Sequence, residues 1–116
     1  MSPLAPETVD DDLWSAIGDP TRRRILDLLL ADAGGTATSL SRQLPLTRQA
    51  VAKHLDVLDR AGLVRSNSVG RERQCQVDAA QLARAADQLA SVGRAWDRRL
   101  HRIKAIAEAI ETTRRS

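Results

Sequence analysis

The chain has no phenylalanine and no tyrosine, and its aromatic content is two tryptophans in 116 residues. A core without phenyl rings must be filled by Leu, Ile, Val and Ala, which favours packed helices. Hydrophobic residues make up 42% of the chain, enough for one small domain. One cysteine excludes an internal disulfide and points to a reducing compartment. No apolar run reaches the roughly 18 residues of a membrane span, and no basic-then-apolar leader opens the chain. The expectation is a soluble cytoplasmic protein. There is no Gly-rich phosphate loop, no nucleophile elbow and no metal pair, which argues against an enzyme. Acid and base are unevenly spread: residues 1–19 hold five acids and no base, whereas residues 36–77 hold seven bases and three acids. The net charge of +3 hints weakly at a polyanionic partner, and the basic central segment strengthens the hint.

What is present centres on L-P-L-T-R-Q-A-V-A-K-H-L-D-V-L-D-R-A-G-L at 44–63. Pro45 breaks a preceding helix, Thr47 can cap the next and Gly62 can end it. Val51, Leu55 and Leu58 fall at i, i+4, i+7 and predict one buried stripe. Gln49, Lys53, Asp56 and Arg60 lie opposite, flanked by Arg48 and His54. Gln, Arg and Lys reach base edges and phosphates in a major groove.

Along the rest of the chain, residues 1–8 read as a flexible tail and 9–113 as one domain. Asp10 to Ile17 predicts a short helix with Leu13, Trp14 and Ile17 on one side, ended by Gly18. Asp19-Pro20 restarts a helix running to about Ala33, with Ile25, Leu26, Leu28, Leu29 and Leu30 packed nearly all round. Arg22, Arg23 and Arg24 cluster at its start, where a solvated or salt-bridged surface is the favoured role. Gly34-Gly35 is a turn, and Thr36 to Leu44 predicts a third helix burying Leu40 and Leu44. This helix and the one from Thr47 form a helix-turn-helix. Leu63–Val69 and Glu72–Val77 predict a β-hairpin about Gly70-Arg71, a wing carrying Arg71 and Arg73. Its inward position at Cys75 suits a small buried hydrophobe.

Asp78 should cap a last helix running to about Glu111, with Thr112 to Ser116 frayed. Leu82, Ala86, Leu89, Gly93, Trp96, Leu100, Ile103, Ala107 and Ile110 alternate at spacings of four and three. That heptad stripe packs along a partner helix. It is too long for so small a domain to cover, so part should meet a second chain. Gly93 could kink it.

The order of helix, helix, helix-turn-helix, wing and long helix resembles the ArsR-type winged-helix transcriptional repressors over roughly residues 11–111. The resemblance rests on L-W-S-A-I-G-D-P-T-R-R-R-I-L-D-L-L at 13–29, T-R-Q-A-V-A-K-H-L-D-V-L-D-R-A-G-L-V at 47–64 and G-R-E-R at 70–73. It implies a mainly α fold with a small β-hairpin, dimerising through the first and last helices. It also implies a homodimer binding double-stranded DNA at an inverted-repeat operator near its own promoter. Thr47, Arg48, Gln49, Lys53 and His54 would then lie in or beside the major groove, with Arg71 and Arg73 on the wing. Leu13, Trp14, Ile17, Leu89, Trp96, Leu100 and Ile103 would form the dimer interface.

The metal-sensing branch of that family carries a cysteine motif that would fall near 36–44, where this chain reads T-A-T-S-L-S-R-Q-L. Its C-terminal ligand set finds only His101 here, with Ala90 and Lys104 at the companion positions. The resemblance is therefore to the branch without metal ligands; no cofactor is expected, and any effector is unspecified. The rival reading from another class is a winged helix used for protein–protein assembly.

Overall fold

The computed structural model describes residues 10–115. These fall into two compact units, Asp10–Ala85 and a second that holds the helical residues 86–115.

The first unit begins with α1 (Asp11–Ile17), capped by Asp10, whose carboxylate accepts from the Leu13 amide at 2.8 Å. Next comes α2 (Pro20–Ala31), two residues shorter than the sequence suggests. The chain leaves α2 through Ala33 at φ 56, and the Gly34 amide returns to the Leu29 carbonyl at 2.9 Å. This is a Schellman-type exit with alanine where glycine normally sits. An L-residue with a Cβ is strained there by about 1–2 kcal/mol. Ala33→Gly should therefore stabilise the fold by about 1 kcal/mol net of glycine's extra unfolded-state entropy, measured by urea denaturation.

Helix α3 (Ala37–Ser41) is only five residues long and opens with a reciprocal Thr36–Ser39 capping box. The expected two-turn helix to Leu44 does not form. Pro45 disfavours helical geometry at the residue before it, and the chain turns with the Gln43 amide on Leu40 O and the Leu46 amide on Leu44 O. Leu40 is buried as expected, whereas Leu44 is half-buried. Helix α4 (Arg48–Arg60) has Thr47 as its cap, the hydroxyl oxygen accepting from the Ala50 amide at 3.1 Å. Gly62, at φ 79, follows its C-terminal cap.

Strands β1 (Val64–Val69) and β2 (Glu72–Val77) pair antiparallel, with Val69 opposite Glu72. The two-residue loop has Gly70 at φ 61 and Arg71 second, the pattern of a type II′ turn. Gly35 is more than a turn residue: it exchanges two backbone hydrogen bonds with Cys75, at 2.9 and 2.8 Å, and so pairs with the hairpin's base.

The core of this unit is aliphatic, as the lack of aromatics requires. Ile25, Leu29, Leu40, Val51, Leu55, Leu58, Leu63, Val64 and Cys75 are all but fully buried. Leu30 is exposed, so α2 is not packed on every side. Leu13 is 3% exposed and belongs to this core, so it offers a partner chain little apolar area.

Helix α5 (Ala79–Arg115) starts after Asp78, whose carboxylate accepts from the Gln81 amide at 3.1 Å. It runs unbroken through Gly93 and to the end of the described residues, about 55 Å at 1.5 Å per residue. Thr112 and Thr113, expected to fray, instead donate their hydroxyls to the carbonyls four residues back. Within residues 86–115, Leu89 is half-buried, and Trp96, Leu100, Ile103, Ile106 and Ile110 are exposed.

Candidate nucleic-acid interface

Helix α4 is divided lengthwise. Val51, Leu55 and Leu58 are 0–1% exposed, whereas Arg48, Gln49, Lys53, Asp56 and Arg60 are open to solvent. Thr47 sits exposed at its start. A groove of about 420 Å³ runs between the N-terminal half of this polar face, the start of α3 and the wing tip. Arg48, Gln49, Asp56, Arg71, Glu72 and Arg73 line it, together with Thr36 and Thr38. Arg48, Gln49 and Arg71 thus line one groove between a helix and a hairpin, whereas Thr47 and Lys53 are exposed on α4 outside its lining.

Two of the residues assigned from sequence are otherwise engaged. Arg73 donates from Nη1 to Asp56 Oδ1 at 2.8 Å and from Nη2 to the Ala52 carbonyl at 3.4 Å, which ties the wing to α4. The hydrogen bond that Arg73 donates to Asp56 raises the Arg73 pKa above its ordinary value, against the opposing effect of partial burial. His54 is half-buried and turned toward α2, where its Nδ1 lies 3.2 Å from Arg22 Nη1. Arginine can only donate, so in this contact Nδ1 is the accepting atom.

Arg22 is the residue that sequence reasoning undervalued. Its side chain is 15% exposed, and its guanidinium reaches the carbonyls of Ser15 and Ala16 at the end of α1 as well as His54 on α4. It therefore ties together the end of α1, the start of α2 and the middle of α4, and its 3.9 Å pairing with Asp19 fits the salt-bridged role expected from the sequence. Arg23 likewise donates to the Ile17 carbonyl. Asp19 completes the cluster as the cap of α2, accepting from the amides of Thr21 at 2.7 Å and Arg22 at 3.1 Å.

The Arg22 amide is the main cause holding the Asp19 carboxyl below its ordinary pKa. Partial burial opposes it, and the Thr21 amide and nearby positive charge reinforce it. A depressed folded-state pKa means stability that is fully present above the unfolded value, near 3.9, and lost as pH falls through the folded value. Asp19→Ala should cost about 1 kcal/mol at neutral pH. The gap between parent and variant should narrow in urea titrations carried below about pH 4.

Metal ligation does not fit these residues. Among the described residues no three of His, Cys, Asp and Glu come together in a way that could hold an ion. Cys75 is buried in the hairpin 3.4 Å from the Ser66 hydroxyl, and His101 is exposed on α5.

A helix with one buried and one polar face, preceded by a short helix and a turn and followed by a hairpin, defines a winged helix-turn-helix fold. The comparisons with known proteins agree. A family described as a helix-turn-helix domain matches residues 17–67. The HTH-type transcriptional regulator YuzN of Bacillus subtilis, itself uncharacterised, is 45% identical over 69 residues, covering 54% of this chain and 75% of that protein. The transcriptional repressor SdpR of the same organism is 33% identical over 63 residues, covering 53% and 67%. The solved structure of an ArsR-like transcriptional regulator from Rhodococcus sp. RHA1 superposes with a TM-score of 0.63 at 45% identity, covering 83% of this chain and 90% of that one. The chain belongs to the ArsR-type winged helix-turn-helix transcriptional regulators. It is a DNA-binding regulator and not an enzyme.

Proposed function

We propose that this regulator is a homodimeric repressor acting at an inverted-repeat operator, including one beside its own promoter. The observation that carries the dimer is the stripe of large apolar side chains left exposed on α5. Trp96, Leu100 and Ile103 are 52%, 56% and 58% exposed in the single chain, and Ile110 continues the row. Uncovered apolar rows of this size mark interaction sites, and a heptad row suits a second helix of its own kind. Trp14, 46% exposed on α1, and the half-buried Ile17 and Leu89 join them in this reading. Thr47, Arg48, Gln49 and Lys53 read the major groove, while Arg71 meets a flanking backbone or minor groove. Arg73, at the groove wall, and His54, turned toward α2, brace that surface through Asp56 and Arg22. Repression would follow from occupying promoter DNA; the relative SdpR is named a transcriptional repressor.

The test is a gel-shift titration on the DNA upstream of the protein's own gene, paired with in vitro transcription from it. A discrete dimer complex and loss of transcript are expected. The same affinity is expected with chelator or with micromolar zinc, since one cysteine and two dispersed histidines offer no converging ligand set. Metal-driven release that His101→Ala abolishes would overturn the metal-free reading. Activation of transcript, or binding by monomers alone, would overturn the rest.

A further inference from the structure

A carboxylate on the face of a helix that reads DNA is electrostatically adverse. Asp56 occupies such a place, on the same side of α4 as Gln49 and Lys53 and lining the groove beneath the wing. Its Oδ1 accepts from Arg73 at 2.8 Å, and the same guanidinium reaches the Ala52 carbonyl one turn back. The pair is 37% and 57% exposed at its two side chains, so it adds little to global stability. Its worth must lie elsewhere.

The hairpin's own geometry indicates where. Side chains alternate along a strand, so Arg73 shares the inward face of β2 with the buried Cys75. Backbone pairing of Cys75 with Gly35 fixes the base of the wing. From Asn67 to Glu72 every residue is exposed, and two strands alone make a ribbon that is marginal in water. The Arg73 contacts are the cross-links that hold this outer half against α4, with Arg71 two residues beyond them at the tip. We infer that Asp56 is a positioning residue: through Arg73 it latches the wing to the recognition helix, and so sets the distance between the groove-reading side chains and Arg71. The inference rests on the reading that α4 and the wing face DNA.

A sign reversal makes it testable. If Asp56 acted only by its charge, Asp56→Ala would bind every duplex more tightly, because a negative group near phosphate has gone and Arg73 is released. The latch requires the opposite: affinity falls roughly tenfold for a duplex that the parent protein selects from a random-sequence pool. Asp56→Asn, which keeps an acceptor for Arg73, should recover part of the loss. The exchange Asp56→Arg with Arg73→Asp preserves net charge and rebuilds the pair reversed, and should recover most of it. In the DNA-free protein, backbone 15N relaxation should report amides 68–72 newly mobile in Asp56→Ala and quiet again in the exchanged pair. Binding by Asp56→Ala at parental strength or tighter, or unaltered relaxation at the wing tip, overturns the latch. A parent protein that cannot tell its selected duplex from a scrambled one would instead sink the reading of α4 as the DNA-facing helix, while the relaxation data still decide the latch.

Discussion

Leu100→Asp and Ile103→Asp should each turn the protein into a folded monomer that has lost operator binding. Both side chains are more than half exposed in the single chain, so a carboxylate there need not disturb the protomer's own core. In the proposed dimer the same carboxylate would be buried against an apolar helix with no partner, a cost of several kcal/mol for an unpaired charge. Losing one of two linked DNA-binding units forfeits the advantage of effective concentration, worth about 10²–10⁴ in affinity. Sedimentation velocity should give the monomer mass with far-UV circular dichroism unchanged, and anisotropy titrations should give an operator affinity at least about a hundredfold weaker. A parental sedimentation coefficient in both variants would remove α5 from the interface.

The second large effect concerns the groove-reading face. Gln49→Ala or Lys53→Ala should weaken specific binding by about 1–3 kcal/mol, while nonspecific binding changes little for Gln49→Ala. Arg71→Ala should weaken all duplexes alike and reduce the salt slope by about one, because a phosphate contact carries no sequence information. Arg73→Ala should differ from Arg71→Ala, since it removes the wing's anchor as well as a charge. Titrations of the parent and four variants at several salt concentrations separate these outcomes.

Much of this surface was legible in the sequence because it depends on local pattern. The stripe of Val51, Leu55 and Leu58, the Thr47 cap and the Asp19-Pro20 start are all set by residues within two turns of each other. The strand Glu72–Val77 was legible for the same reason, bounded by a turn glycine and a capping Asp. What escaped was long in sequence and short in space. The Arg22–His54 contact joins positions 32 apart and the Arg73–Asp56 contact positions 17 apart, and charge patterning along one element cannot reveal either. Arg73 did leave a trace, since an inward Cys75 places it two residues away on the inward face. The Gly35–Cys75 bridge left none, because a single paired residue has no periodicity. The shortened α3 was foreseeable from Leu44-Pro45, where the steric rule for the residue before proline outweighs the apolar spacing of Leu40 and Leu44.

The most direct test of α4 as a major-groove reader is guanine methylation interference on the selected duplex, because the modified N7 lies in the major groove. Two clusters of interference are expected, on one face of the DNA and one helical turn apart, about 34–36 Å, and they should fade in Gln49→Ala. A complex that tolerates methylation at every guanine N7 while minor-groove modification abolishes it would contradict the account.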